Sequence, residues 1–356
     1  MFFQQAVLLL LFLVGGFIAT YFLIPPVINV VRIKKLYEKR NERSSHHLPT
    51  PSFGGVAIYL PMLLALVFSA HLFAGLTATY IIGGVSILFF VGLKDDLTGI
   101  KPSNKLIAQL LAAALVFLSP SFQISNLHGW LGLQQLHPLL LFPLAFVVVA
   151  FFVNAFNLID GIDGLSGGLG VFFSLGFTFF FYQLSDWLMV AMNLAVIGSL
   201  FAFLRFNLSF HRKIFLGDTG SLLLGFFYVL CVLMLMSREE SVLFGLPAQN
   251  VPYVLIGLLF VPVVDSLRVF FVRIKEKRSP FSADRNHIHH VILDQFSLSH
   301  GQTSLLLVCF NALVFLSLLG AARFLQQSIL ALLLLLLILG TTIFLTRMRK
   351  KRDSSL

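Results

Sequence analysis

Apolar runs of ~20 residues, each the length of one bilayer crossing, recur from one end of this chain to the other. Backbone that enters hydrocarbon must satisfy its hydrogen bonds internally, so such runs commit the chain to helices. Hydrophobic residues make up 58% of the 356 and charged residues only 11%, too little charge to cover a soluble surface of that size. Eleven segments read as spans, with approximate limits 3–31, 53–71, 75–93, 105–120, 138–156, 165–184, 188–206, 221–236, 251–272, 303–321 and 326–346. The expected fold is all-α and polytopic. It is one integral membrane domain over 1–356, closed by a basic tail at 347–356. The first run lacks a basic leader and a small-residue cleavage site, so it reads as a retained span.

The net charge of +10 would suggest a nucleic-acid partner in a soluble protein. Here the basic residues lie in short loops between apolar runs, so the partner they imply is the bilayer. With the N-terminus outside, 23 of the 25 Lys and Arg fall in cytoplasmic loops, leaving Arg238 and Arg323 outside, which satisfies the positive-inside rule. An odd number of spans then leaves the C-terminus in the cytoplasm. On this topology Asp95, Asp96, Asp160, Asp163, Asp218, Asp265 and Asp284 share the cytoplasmic side with His46, His47, His211, His287, His289 and His290. Cys231 and Cys309 lie within apolar runs and read as small buried hydrophobes, with no disulfide framework implied.

The densest polar stretch is Asn154-Ala-Phe-Asn157-Leu-Ile-Asp160-Gly-Ile-Asp163-Gly-Leu, between two apolar runs. Polar groups at membrane depth are costly and mark function. Its step of three makes neighbours on a helix and is expected to keep all four residues within half of a helix surface. Gly161 and Gly164 allow the backbone to unwind there. Simple capping of a helix end accounts for one or two of the four.

Asp95-Asp96 closes the third span, where adjacent carboxylates at a helix C-terminus oppose its dipole; Lys105 and Gln109 follow on the next helix. Gly217-Asp218-Thr219-Gly220-Ser221 opens a helix, with amides suited to an anion and a carboxylate suited to a hard cation. Arg285-Asn-His287-Ile-His289-His290 lacks a Cys or Glu at zinc spacing, and histidine with arginine suits phosphate. Carboxylates, amides, glycine turns and cations on one membrane face suit magnesium-assisted transfer of a phosphorylated group. No G-x-S-x-G elbow is present for a serine hydrolase. A lipid or ion transporter is the rival class, but its ionisable residues would line the midplane.

Four ordered motifs from Pro49 to His290 carry a resemblance to the polyprenyl-phosphate N-acetylhexosamine-1-phosphate transferases. The bacterial undecaprenyl-phosphate branch, which begins O-antigen, enterobacterial common antigen or teichoic-acid linkage synthesis, is the nearest in pattern. The phospho-MurNAc-pentapeptide translocase is more distant, and its tri-histidine loop differs from the Arg-Asn-His-Ile-His-His form here. The resemblance implies transfer of HexNAc-1-phosphate, most simply GlcNAc-1-phosphate, from a UDP-sugar to undecaprenyl phosphate, with release of UMP. It implies a Mg2+ cofactor, with Mn2+ the candidate substitute, held by Asp218 and Asn157. It gives Asp160 and Asp163 to the nucleotide and metal site, and Asp95 and Asp96 to the lipid phosphate. Asn154, Lys105, Arg285, His287, His289 and His290 become substrate-binding. Gly99 stands where the family often has a third Asp or Asn in the acidic motif. The expected location is the bacterial inner membrane with the active site facing the cytoplasm, and a homodimer is the candidate assembly.

Overall fold

A computed structural model describes residues 2–36, 50–74, 76–119, 122, 126–130, 132–135, 137–238, 242–243, 245–278 and 286–353. Arg285, Asp284, His46 and His47 lie outside the described residues. All eleven predicted segments are helical. Among the described residues, nine helices are long and apolar enough to cross a membrane, and a pair bent by 76° makes a tenth. The chain packs as two compact units.

The first unit takes Met1–Ser125 and His137–Arg238. It holds α1 (Phe2–Lys34), α2 (Gly54–Ser69), α3 (Leu76–Thr98), α4 (Pro102–Phe117), α5 (Pro138–Ile159), α6 (Leu165–Gln183), α7 (Trp187–Asn207) and α8 (Gly217–Met236). Lipid tails are as apolar as the side chains, so close backbone approach does much of the work of holding such helices together. The α1–α7 pair shows it: a Cβ on Gly198 would stand 2.0 Å from the Leu13 carbonyl oxygen. Helix α8 is the hub, buried along its length among α2, α3, α5 and α6. Phe156, Phe173 and Phe177 ring Tyr228, whose hydroxyl donates to the Gly170 carbonyl at 2.8 Å.

Helix α5 stops at Ile159, with Asp160 as its C-cap at φ −78°, ψ 46°. The turn that follows ends on Gly164 at φ +82°, a left-handed conformation that glycine adopts without strain. The four-residue polar set therefore does not continue along one helix surface: Asn154 and Asn157 project from α5, Asp160 caps it, and Asp163 lies beyond its end.

The second unit takes Asn126–Leu136 and Glu239–Leu356. It contains two short antiparallel hairpins, β1 (Asn126–Trp130) with β2 (Leu133–Gln135) and β3 (Val242–Leu243) with β4 (Leu246–Pro247). Its helices are α9 (Val251–Leu258), α10 (Phe260–Lys275), α11 (Ile288–Phe296), α12 (His300–Ala321) and α13 (Gln327–Asp353). The run expected as one span at 251–272 breaks at Leu259. Pro262 has no N–H and its ring crowds the carbonyl four residues back. Asn311, buried on α12, seals the break by accepting from Val261 N at 2.9 Å and donating to Leu258 O at 2.7 Å.

Candidate active site

The site in the first unit is built around the start of α8. Backbone pairs from Phe215 N to Pro51 O (2.7 Å), Gly54 N to Phe215 O (2.8 Å) and Gly55 N to Leu216 O (2.9 Å) dock the preceding strand-like segment beside α2. Gly217 turns the chain at φ +74°, where a side chain would strike the Ser52 carbonyl oxygen at 2.0 Å. Gly55 and Gly92 lie so close to Thr219 and Gly220 that any Cβ there would collide with backbone.

Asp96 is the cap of this helix, reaching across from α3. Its Oδ1 accepts from Asp218 N at 2.8 Å, and its Oδ2 accepts from Thr219 N at 2.9 Å and Thr219 Oγ1 at 2.5 Å. A carboxylate at a helix N-terminus meets orphan N–H groups and the positive end of the dipole. Asp95, its neighbour, accepts from Ile100 N at 2.7 Å and pairs with the Lys105 ammonium. Lys105 also reaches Asp218 Oδ2 at 3.0 Å, so one cation lies between two carboxylates. The Asp95 side chain is 6% exposed and that of Asp218 30%, which leaves Asp218 as the carboxylate open to a ligand.

Asn157 places its Nδ2 against Asp218 Oδ1 and within 2.7 Å of Ser221 Oγ. One turn earlier, Asn154 donates to Gln109 Oε1 at 3.0 Å, tying α5 to α4. Asp160 accepts from Ser166 Oγ at 2.5 Å. Burial pushes its carboxyl up to about 7, opposed by that hydroxyl and assisted by the negative charges of Asp218 and Asp163. Asp163 pairs with Lys213 at 2.5 Å, and the Lys213 ammonium stands 5.6 Å over the Phe215 ring. Asn207 staples the two loops, accepting from Gly164 N at 2.7 Å and donating to Ile214 O at 2.9 Å. The structure thus brings together Asp95, Asp96, Lys105, Asn157 and Asp218 directly. Asp160, Asp163 and Asn154 are tied to Ser166, Lys213 and Gln109 respectively.

The histidines belong to the second unit. His287 is the N-cap of α11, and its Nδ1 lies 2.8 Å from Asp265 Oδ2. Its ring stacks on His289, with centroids 5.9 Å apart and planes 8° from parallel. His289 packs against His290 at 4.3 Å. Burial, with His290 adding, holds His289 well below the usual imidazole range.

Lys213, Asn207, Asp265 and Arg268 were not singled out as site residues by the motifs. Lys213 had a signal in its place five residues before Asp218. Asp265 and Arg268 had one in their i, i+3 spacing within an apolar run, where charge is expensive unless paired.

Among the described residues, no group of three or more His, Cys, Asp and Glu side chains is arranged to hold a metal ion. Magnesium seldom needs such a cage: one or two carboxylates suffice when phosphates and waters complete its shell. Asp218 and Asn157 fit that sparse requirement. The position is already one that accepts positive charge, since the Lys105 ammonium rests on Asp218. Asn157 now turns its nitrogen to the carboxylate, and a ligand role would use its amide oxygen.

The fold and this site define a multi-pass membrane protein built for phosphoryl chemistry at the end of a helix bundle. The model of glycosyl transferase family 4 matches residues 78–236, which contain every described site residue of the first unit. The chain is 32% identical over 308 residues to the decaprenyl-phosphate N-acetylglucosaminephosphotransferase of Mycobacterium leprae, covering 77% of this chain and 73% of that one. It is 30% identical over 304 residues to the probable undecaprenyl-phosphate N-acetylglucosaminyl 1-phosphate transferase of Bacillus subtilis, covering 81% and 78%. It is 27% identical over 265 residues to the undecaprenyl-phosphate alpha-N-acetylglucosaminyl 1-phosphate transferase of Yersinia pestis, covering 72% and 69%. The chain belongs to the polyprenyl-phosphate N-acetylhexosamine-1-phosphate transferases of glycosyl transferase family 4.

Proposed function

We propose that this enzyme transfers GlcNAc-1-phosphate from UDP-GlcNAc to undecaprenyl phosphate, releasing UMP, with Mg2+ as cofactor. The observation that carries the reading is the Lys105 ammonium set between Asp95 and Asp218 at the capped start of α8. A phosphate monoester has a second pKa of ~6, so the lipid phosphate is mostly dianionic at neutral pH and already a nucleophile. What it lacks is a cation to align it. Lys105 gives that charge, and buried Asp95 keeps the ammonium in place. A lipid-phosphate oxygen then bonds to the sugar-linked phosphorus as the bond from that phosphorus to the bridging oxygen breaks. The bridging oxygen leaves with UMP, and no proton need move. Asp218, with Asn157, holds the magnesium, which when bound neutralises charge on the diphosphate. Asp96 does not touch the reactants on this view; it fixes the backbone that carries Asp218. The histidine segment, in the second unit, carries the phosphate-recognition role that its composition supports.

The lysines and arginines favour the cytoplasmic side of a bacterial inner membrane for this chemistry, where UDP-sugars are made. A cysteine at Ser209 should then be shielded from an impermeant thiol reagent in intact cells, and one at Ser185 should react. The central test is purified protein given UDP-GlcNAc, undecaprenyl phosphate and Mg2+. UMP and a lipid-linked sugar diphosphate should appear in equal amounts. No UMP with any UDP-HexNAc would overturn the reaction, and undiminished turnover after chelation would overturn the metal.

A further inference from the structure

We infer that the loop after α7, together with the adjoining end of α1, is a docking surface for anionic phospholipid headgroups. It lies in the first unit, apart from the reactive groups but at the same end of the helix bundle.

Phe210 marks the surface. It is 95% exposed and stands three residues beyond the end of α7 at Asn207. Exposed apolar side chains along the helices face lipid tails and need no other partner. Phe210 has left that zone. Helix α7, with 21 residues, is ~30 Å long, about the thickness of the hydrocarbon core. The loop that follows is therefore level with the headgroups. Leu208 beside it is 51% exposed, and Ile33 in the last turn of α1 is 76% exposed. Helices α1 and α7 pack along each other. Arg32 Nη2 donates to the His211 carbonyl at 3.4 Å, so the end of α1 and the loop form one surface.

The charge on this surface has one sign. Arg32 and Lys34 lie in the last turn of α1 and Arg205 in that of α7. Arg212 follows in the loop, and all four are exposed. Among the described residues none of them pairs with a carboxylate. Asp95 and Asp218 engage Lys105, Asp163 engages Lys213, and Asp186 engages Arg238. Asp96 caps α8 and Asp160 holds Ser166. Helix dipoles favour cations in the last turns of α1 and α7. They give no reason for Arg212, or for a bare phenyl ring two residues before it. Apolar tips ringed by Arg and Lys are the composition of a segment that lies in the interface. The ring enters the headgroup layer and the cations meet anionic lipid. A guanidinium offers phosphate two parallel N–H groups. Zwitterionic headgroups bring an ammonium with their phosphate, so unpaired positive charge selects the anionic class.

The docked loop is tied to the site at both ends. Lys213 holds Asp163 at 2.5 Å, and Asn207 accepts from Gly164 N at 2.7 Å. A headgroup that holds Arg212 thus steadies the segment from which Lys213 reaches Asp163.

The experiment uses full-length Phe210→Trp protein in nanodiscs of phosphatidylcholine with a minority of phosphatidylglycerol. One lipid or the other carries brominated acyl chains, which quench tryptophan on contact. The signal is the quenching in excess of the parent protein, which keeps Trp130 and Trp187. Per mole, brominated phosphatidylglycerol should quench at least about twofold more than brominated phosphatidylcholine. That preference should vanish when Arg205→Gln and Arg212→Gln are added, and in high salt, which screens exposed charge. Equal quenching per mole by the two lipids overturns the inference with no arginine variant needed. A preference that survives both salt and the loss of the arginines also overturns it. Quenching by neither lipid shows Phe210 facing water, and overturns the docking altogether.

Discussion

Replacing Asp96 with asparagine separates a capping carboxylate from a catalytic base. In the structure its two oxygens accept three hydrogen bonds at the start of α8, from Asp218 N, Thr219 N and Thr219 Oγ1. An asparagine has one acceptor oxygen. Placed at the Oδ2 position it keeps both Thr219 bonds, and its NH2 then points at the Asp218 N–H, donor against donor. Losing one charge-assisted bond costs about 1.5–3 kcal/mol, and losing the negative charge at a helix N-terminus costs a further ~0.3–1 kcal/mol. The start of α8 is therefore weakened by roughly 2–4 kcal/mol. If about 2 kcal/mol of this reaches the placement of Asp218, turnover falls roughly 30-fold. The assay is the ratio of wild-type to variant UMP release at every pH from 6 to 9, with thermal unfolding alongside. A capping role predicts a constant ratio and a lowered unfolding temperature. A base role predicts a deficit that shrinks as solvent removes the proton unaided. A ratio that returns to one by pH 9, or an unfolding temperature equal to wild type, refutes the reasoning.

Asp218→Asn should abolish turnover at saturating UDP-sugar and ordinary magnesium, since it removes the carboxylate a hard cation requires; near-normal kcat would sink the assignment. Asp160 has its carboxyl raised to about 7 in the folded chain against an ordinary value of ~3.9, so the folded state binds the proton more tightly. Its contribution to stability is then complete below about pH 4 and is lost as pH climbs through 7. Unfolding temperatures in metal-free buffer should fall between pH 4.5 and 8, and Asp160→Asn should flatten that slope; an unchanged slope contradicts the cause. Asn207→Ala strands the Gly164 N–H and the Ile214 carbonyl, two buried groups at about 1–3 kcal/mol each. Denaturant unfolding should show a loss of that size, and a change under ~0.5 kcal/mol would mean that the loops hold without the staple.

The helices were legible because apolar length alone dictates them, and each of the eleven runs is helical. The glycine-bracketed Asp218 and the Asn157 pairing were legible as types of residue in a row, and the structure shows them meeting. The limits of the reading have physical causes. A three-residue step suggested a shared helix surface, but α5 ends at Ile159, and Asp163 turns to Lys213 instead of following Asn157. The break at Leu259 is invisible as hydropathy, because both halves are apolar; its signs are Pro262 and the lone buried amide of Asn311 fifty residues later. The three hydrogen bonds that Asp96 accepts were not legible, since their donors lie more than 120 residues away. Sequence shows which groups are costly to bury; it does not show which distant backbone satisfies them.

Helix α8 reads as the most ordinary of bilayer segments, yet its neighbours on nearly every side are protein. Its surroundings are therefore a fixed solid, and not a fluid of variable thickness. A thinner or thicker bilayer acts first on helices with broad lipid-facing surfaces, such as α1, whose Leu10, Leu11 and Phe22 point outward. They can tilt or snorkel to relieve mismatch, while α8 is pinned in depth by glycine contacts with α2 and α3. Asp218 thus keeps one height relative to Asp95, Asp96 and Asn157 whatever lipid surrounds the protein. The enzyme can process a membrane-dissolved substrate without its own site moving as the membrane changes.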